Sequence, residues 1–288
     1  AVPGYYNSDR FSKKAVNVGS LRNRGYEITI QSNNLQTKDL TWTTMLNFGH
    51  NHNELTKIYG EENQIISGVR IHKVGEPYYS YYGYEYAGVD PNTGRESYYL
   101  NNGTSNARNT TINPNEAKKV IIGNHETKIE GGFSNNITWK FIDFGLNFTF
   151  SLGGKAFDAA TWQHNNGNYT FGGQLPTYYD INKMWTGPGD TNSSQPVFQY
   201  GNSSEVSSRW LMPTDYLRLK SLTLGFTAPS QWVTRIGLSK ARAFFSASNL
   251  LTWKSKDLYV DPEMRVDGVC TFQTPALRTF TFGIELGF

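Results

Sequence analysis

The feature that most constrains this chain is an alternation of large apolar side chains with small or polar ones. In Phe144, Leu146, Phe148, Phe150 and Leu152 every second residue is apolar, and Gly145, Asn147, Thr149 and Ser151 lie between them. Successive side chains of a strand point to opposite faces, so this segment has one greasy face and one wet face. Phe280, Phe282, Ile284, Leu286 and Phe288 repeat the pattern against Thr279, Thr281, Gly283, Glu285 and Gly287. A soluble edge strand usually carries charge or proline to block pairing; here the final residue is an aromatic.

Five more strands are predicted at 25–31, 41–50, 129–139, 216–226 and 241–253. In the first, Tyr26, Ile28 and Ile30 oppose Glu27, Thr29 and Gln31; in the second, Trp42, Leu46 and Phe48 share a face with Thr44. In 216–226, Arg218 and Lys220 fall on the same parity as Leu222, Leu224 and Phe226, which predicts that the charged half rises above a membrane. The connections after the first, third and fifth strands are short (32–40, 140–141, 227–240), and those after the second, fourth and sixth are long (51–128, 153–215, 254–276). Such alternation is the pattern of an outer-membrane barrel, with tight periplasmic turns and extended external loops. Trp42 and Trp139 sit beside short turns and Trp253 at the long-loop end, as aromatic girdles at two interfaces require.

The mean hydropathy of −0.54 looks soluble, but barrel strands average polar and apolar faces to near neutral. No run approaches the 18 apolar residues of a transmembrane helix, and closed barrels are the other permitted spanning structure. Aromatics make up 15% of the chain, which favours strands. The net charge of +3 and the lack of a basic block exclude a nucleic-acid arm. The lone Cys270 excludes an internal disulfide and a cysteine-rich metal site. Residues 1–10 do not read as a signal peptide, and seven strands are an odd number too small to close a wide barrel. Both observations lead us to expect a C-terminal piece of a longer chain.

Several motifs resemble the SusC/RagA family of TonB-dependent transporters. Asn17-Val18-Gly19-Ser20-Leu21-Arg22-Asn23-Arg24-Gly25-Tyr26-Glu27 is similar to that family's strand entry, and Ala87-Gly88-Val89-Asp90-Pro91-Asn92-Thr93-Gly94 to its A-G-V-D-P-x-T-G element. Gly131-Gly132-Phe133-Ser134-Asn135 resembles its G-G-F-S-N strand. Asp215-Tyr216-Leu217-Arg218-Leu219-Lys220 with Leu224-Gly225-Phe226 resembles its D-Y-[LV]-R-[LI]-[KR]…L-G-Y signature. Ser248-Asn249-Leu250-Leu251-Thr252, Asp261-Pro262-Glu263 and the final Phe288 complete the series in family order. Phe226 stands where Tyr is usual, and no proline precedes Gly131 where one is usual.

The resemblance implies an all-β fold: the C-terminal part of a transmembrane antiparallel β-barrel of roughly 22 strands with a plugged lumen and long extracellular loops. Residues 1–288 would be one barrel segment of about seven membrane strands, with the plug outside this chain. The location implied is the outer membrane of a Gram-negative bacterium. The partners implied are a SusD-like surface lipoprotein, TonB through the missing N-terminal part, outer-membrane lipid and an oligosaccharide or peptide substrate; no cofactor and no enzyme activity are implied. The alternatives are a passive porin and a soluble all-β carbohydrate-binding domain.

Aromatic faces stack on sugars and peptide side chains. The aromatic-rich long loops therefore supply the candidate substrate- or partner-binding residues Tyr78, Tyr79, Tyr81, Tyr82, Trp162, Tyr178, Tyr179 and Trp185. His50 and His52 share a strand face, a spacing that can hold a metal, but solvated histidines at a loop junction are expected. Asp90-x-Asn92-x-Gly94-x-Glu96 resembles a scrap of a calcium loop, yet a proline-glycine turn explains the same residues. Asp257, Asp261, Glu263 and Asp267 are expected in a solvated, carboxylate-rich external loop. There is no nucleophile elbow, phosphate loop or His-Glu-x-x-His signature.

Overall fold

The structure, a computed structural model, describes residues 19–59, 63–165, 180–197, 204–263, 267–271 and 274–288. Seven strands form one antiparallel sheet: β1 (Gly19–Gln36), β2 (Leu40–Ile58), β3 (Ile129–Trp139), β4 (Ile142–Leu152), β5 (Tyr216–Thr227), β6 (Lys240–Lys254) and β7 (Thr279–Gly287). Each pairs with its neighbours in sequence, in the spatial order β1 to β7. The alternating segments thus became strands where period two predicts them. The first two extend well past the alternation, because Leu21 to Leu55 and Ser20 to Lys57 continue the ladder.

The register puts the apolar side chains on one face. Phe133 faces Phe148 and Leu46, Phe144 faces Leu224, and Phe245 faces Phe282. The Phe133 and Phe148 rings stack with centroids 4.6 Å apart. Much of this face is uncovered among the described residues: Phe282 is 80% exposed and Ile284 77%, while Leu219 and Ala247 are buried within it. Leaving a large apolar side chain in water rather than burying it forgoes about 1.5–3 kcal/mol, and a continuous apolar face of this size marks an interaction surface.

In β5 the sequence parity does not survive. Asn147 pairs with Ser221 but Phe148 pairs with Leu219, so Lys220 is an extra residue with no partner on β4. This β-bulge shifts the alternation by one. Leu217 and Leu219 therefore join Leu222 and Leu224 on the apolar face, and Arg218 turns to the opposite, polar face beside Thr149 and Thr252. The expectation that Arg218 shares the face of Leu222 is corrected by one inserted residue. The neighbouring strand has a matching irregularity: two residues, Asn249 and Leu250, lie opposite Lys220, with Asn249 at φ 54.

The long connections are not open loops. They build a four-stranded sheet (Gln64–Ser67, Arg70–Lys73, Ser80–Gly83, Val120–Asn124) and two three-stranded ones. One of these joins Lys155–Asp158 to Leu211–Pro213 and Val269–Cys270, so it ties two different connections together. The buried core sits here, with Tyr81, Phe157, Ala159 and Trp210 in one cluster and Ala156, Met212, Leu258 and Cys270 in another. The chain thus has a sheet that leaves its apolar face bare and a loop layer that buries its own.

Candidate functional site

The polar face of the sheet is organised in rows by the register. Glu27, Gly49, Glu130, Ser151, Tyr216 and Lys254 lie opposite one another in turn across β1 to β6. The next row runs through Thr29, Asn47, Gly132, Thr149, Arg218 and Thr252. Between them lies a recess of about 450 Å³, which Glu263 enters from the connection after β6.

Arg218 is the anchor of this wall. It is 3% exposed; Nη2 donates to Asp261 Oδ1 at 2.8 Å, Nη1 to Glu263 Oε2 at 2.8 Å and Nε to Thr252 Oγ1 at 3.0 Å. Lys220 Nζ adds a bond to Glu263 at 2.6 Å. Asp261 also accepts the N–H groups of Glu263 and Ala276. Burial by itself would raise the Asp261 carboxyl; the N–H groups of Ala276 and Glu263 and the Arg218 guanidinium outweigh it and hold the group below its ordinary value. The expectation of a solvated acidic loop is therefore corrected for Asp261, because a buried guanidinium needs carboxylates to offset its desolvation; Glu263 stays exposed but is ion-paired. Asp267 likewise pairs with Arg70 at 3.8 Å.

Nearer the short turns, Arg242 and Asp143 form a two-pronged ion pair at 2.7 and 2.8 Å. It passes over Gly225, where an added Cβ would lie 2.5 Å from Arg242 Nη2 and from Asp143 Oδ1. This close approach accounts for glycine at the centre of the Leu224-Gly225-Phe226 motif.

The predicted aromatic residues divide by role. Tyr81 has no exposed surface; its hydroxyl donates to the carbonyls of Lys155 and Gly268, so it holds two connections together from inside. Trp162 is half-buried, edge-on to Phe157, and its Nε1 donates to Ser204 O at 2.9 Å. Trp185 donates to Pro91 O at 2.9 Å, and its ring lies where a Cβ on Gly94 would be. Gly94 has φ 68, so both space and backbone call for glycine. Tyr78, Tyr79 and Tyr82 keep partial exposure. Tyr78 stacks on His72 with centroids 4.3 Å apart, and Arg70 lies 5.0 Å from the Tyr79 ring centroid. Burial lowers the basicity of that His72 ring. Tyr178 and Tyr179 lie outside the described residues.

The smaller constellations resolve locally. Asp90 Oδ1 accepts the N–H groups of Asn92 and Thr93 and the Thr93 hydroxyl, which makes a turn and, chiefly through that hydroxyl, lowers the Asp90 carboxyl. His50 Nδ1 contacts Lys128 O and His52 Nδ1 contacts Glu126 Oε2, so the two rings serve different partners. Glu96, the last residue of that calcium-loop-like segment, turns inward instead: it is buried and accepts from Arg209, Ser204 Oγ and the Tyr98 hydroxyl.

No family model matches the chain. Among curated proteins it is similar to TonB-dependent receptor P3 of Formosa agariphila, 28% identical over 96% of this chain and 30% of that receptor. It is also similar to TonB-dependent receptor SusC of Bacteroides thetaiotaomicron, 26% identical over 94% of this chain and 27% of SusC. Among solved structures, one of the RagAB peptide transporter superposes with a TM-score of 0.81 at 26% identity, covering 96% of this chain and 30% of that one. The RagAB peptide importer in its open-open state gives a TM-score of 0.78 at 27% identity, covering all of this chain and 31% of that one. The chain spans less than a third of the length of each of these proteins.

Proposed function

We propose that this chain, similar in sequence and in fold to TonB-dependent receptors such as SusC and to the RagAB importer, is a wall-and-loop segment of an outer-membrane nutrient importer. The observation that carries the proposal is the two-faced sheet. A bare apolar face opposite ordered polar rows suits strands with lipid on one side and an aqueous lumen on the other. The three long connections leave the sheet at the same ends of their strands, where external loops belong, and the short turns fall at the other end.

In this reading β1 to β7 are membrane strands of a barrel of about 22 strands, completed by strands and a plug outside residues 1–288. The loop layer faces outward, meets a SusD-like lipoprotein and lines the path of an oligosaccharide or peptide. Energy enters through TonB and the plug, and this segment supplies binding and passage rather than catalysis. The test uses the full-length receptor in its native host. Uptake of peptides or oligosaccharides that is lost on deletion of the receptor and on deletion of TonB supports it. Uptake that persists without TonB identifies a passive pore, and a receptor that stays monodisperse without detergent removes the membrane assignment.

A further inference from the structure

A trough of about 770 Å³ opens on the apolar face of the sheet, where β5, β6 and β7 lie side by side. The register explains it. Phe226, Ala243 and Ile284 lie opposite one another in one row, and Leu224, Phe245 and Phe282 in the next. Ala243 is the one small side chain among these six, so the wall dips there. The dip has a floor: a Cβ on Gly283 would collide with the Phe244 ring, which fills the wall from the polar side. Toward the long connections the trough is closed by rings, with the Phe245 centroid 4.9 Å from that of Phe282 and 6.2 Å from that of Phe280. At the short-turn end, Trp232 stands 58% exposed on the helix Ser230–Val233, its ring 6.4 Å from that of Phe226.

All ten residues that line the trough are apolar or glycine, so an occupant meets no charge and no hydrogen-bonding side chain. The volume falls in the range of small-ligand sites, about 300–1,000 Å³. A stable protein interface takes about 20–30 residues a side, so ten are too few for a protein partner and enough for a hydrocarbon chain. Lipid tails are as apolar as leucine, so no hydrophobic gain selects one place on such a wall over another. Dispersion does select: a chain in a concave trough touches wall on several sides, where a flat wall offers one. Tryptophan rings settle at headgroup level, which makes Trp232 the mark of the end where a chain enters.

We propose that this trough holds one acyl chain of a phospholipid from the periplasmic leaflet, with Ala243 beneath the chain and Trp232 beside the headgroup. This rests on the importer reading and adds to it a resident lipid at a named place on the wall.

The test is photolabelling of the full-length receptor, purified with any subunit that accompanies it. The receptor is reconstituted in vesicles of phosphatidylethanolamine and phosphatidylglycerol that carry a trace of phosphatidylethanolamine with a mid-chain diazirine. Leu224 in the trough and Leu251 outside it make a matched pair, both 46% exposed on the apolar face. Label at Leu224 is expected to exceed label at Leu251 about fivefold, equivalent to about 1 kcal/mol of extra packing. Ala243→Phe fills the dip from an outward-facing position and should bring Leu224 down to the level of Leu251; Ala243→Leu, a smaller filling, should lower it part of the way. Retention of the heat-induced shift in gel mobility shows that each variant is folded. Equal label at the two leucines, a preference that survives both variants, or a trough left unlabelled while Leu251 is labelled would each overturn the proposal and leave the importer reading standing. Absence of label at both leucines and along the rest of the apolar face would sink the membrane reading itself.

Discussion

Arg218 shows how a single side chain couples the wall to the loop above it. Its two carboxylate partners come from one connection, so removing the guanidinium takes the paired cation from Asp261 and leaves Glu263 with Lys220 alone. Breaking a buried pair from one side costs about 3–5 kcal/mol. Arg218→Met in the full-length receptor is therefore expected to free residues 255–278, and limited proteolysis should cut there first; an unchanged cleavage pattern would refute the anchoring role. The same anchor has a pH dependence with a definite sign. The folded Asp261 carboxyl is held below its ordinary value, so its contribution is fully present above about pH 4 and lost as pH falls through the folded value. Protease sensitivity of this loop should rise on acidification below about pH 4 and not at alkaline pH. Cys270 behaves in the opposite sense: burial, then the nearby Asp158 and Asp267, push its thiol up to about 12. It should resist alkylation at pH 8 in the native receptor and react only after denaturation, since the thiolate is the nucleophile; rapid native labelling would contradict the buried position.

At the scale of elements, the sequence was informative where period two held and silent where it slipped. Leu146, Phe148 and Phe150 could be assigned to one face because nothing interrupts them. Arg218 could not, because a bulge at Lys220 carries no composition signal and is visible only in the register. The matching irregularity on β6 did leave a trace. Asn249 adopts φ 54, a left-handed conformation that asparagine tolerates better than other non-glycine residues, and its Nδ2 donates to Leu277 O. This accounts for asparagine in the Asn249-Leu250-Leu251-Thr252 motif. Asn249→Val should cost about 1–2 kcal/mol from backbone strain, beyond the lost hydrogen bond, whereas Asn249→Gly should lose the hydrogen bond alone. Thermal melts that rank the two equally would remove the bulge as the cause. The loop-layer sheets were illegible for another reason: their strands are two to five residues long, too short for periodicity, and are assembled from connections far apart in sequence. Tyr81 illustrates the consequence. An aromatic in a long loop looks like a contact residue, and only the tertiary partners Lys155 and Gly268 make it a core residue.

For the whole molecule, the decisive question is what covers the apolar face. Strand β4 runs for eleven residues from Ile142 to Leu152. At about 3.4 Å per residue and a tilt of roughly 40°, that length spans about 25 Å, the height of a barrel's apolar band. Lipid and protein would both punish a charge on this face, but in different ways. A bilayer penalty depends on depth: about 2–4 kcal/mol for arginine at the midplane, falling to about 0–1 near the interfaces. A protein core would penalise all positions by packing, without that profile. Leu146→Arg should therefore destabilise the reconstituted receptor by a few kcal/mol, Ile142→Arg and Leu152→Arg much less, and Asn147→Arg, on the polar face beside Leu146, least. Unfolding measured by the heat-induced shift in gel mobility checks the series. A flat profile along the strand, or a larger penalty at Asn147 than at Leu146, would mean that the bare face meets protein or water and that the two-faced sheet has been assigned the wrong way round.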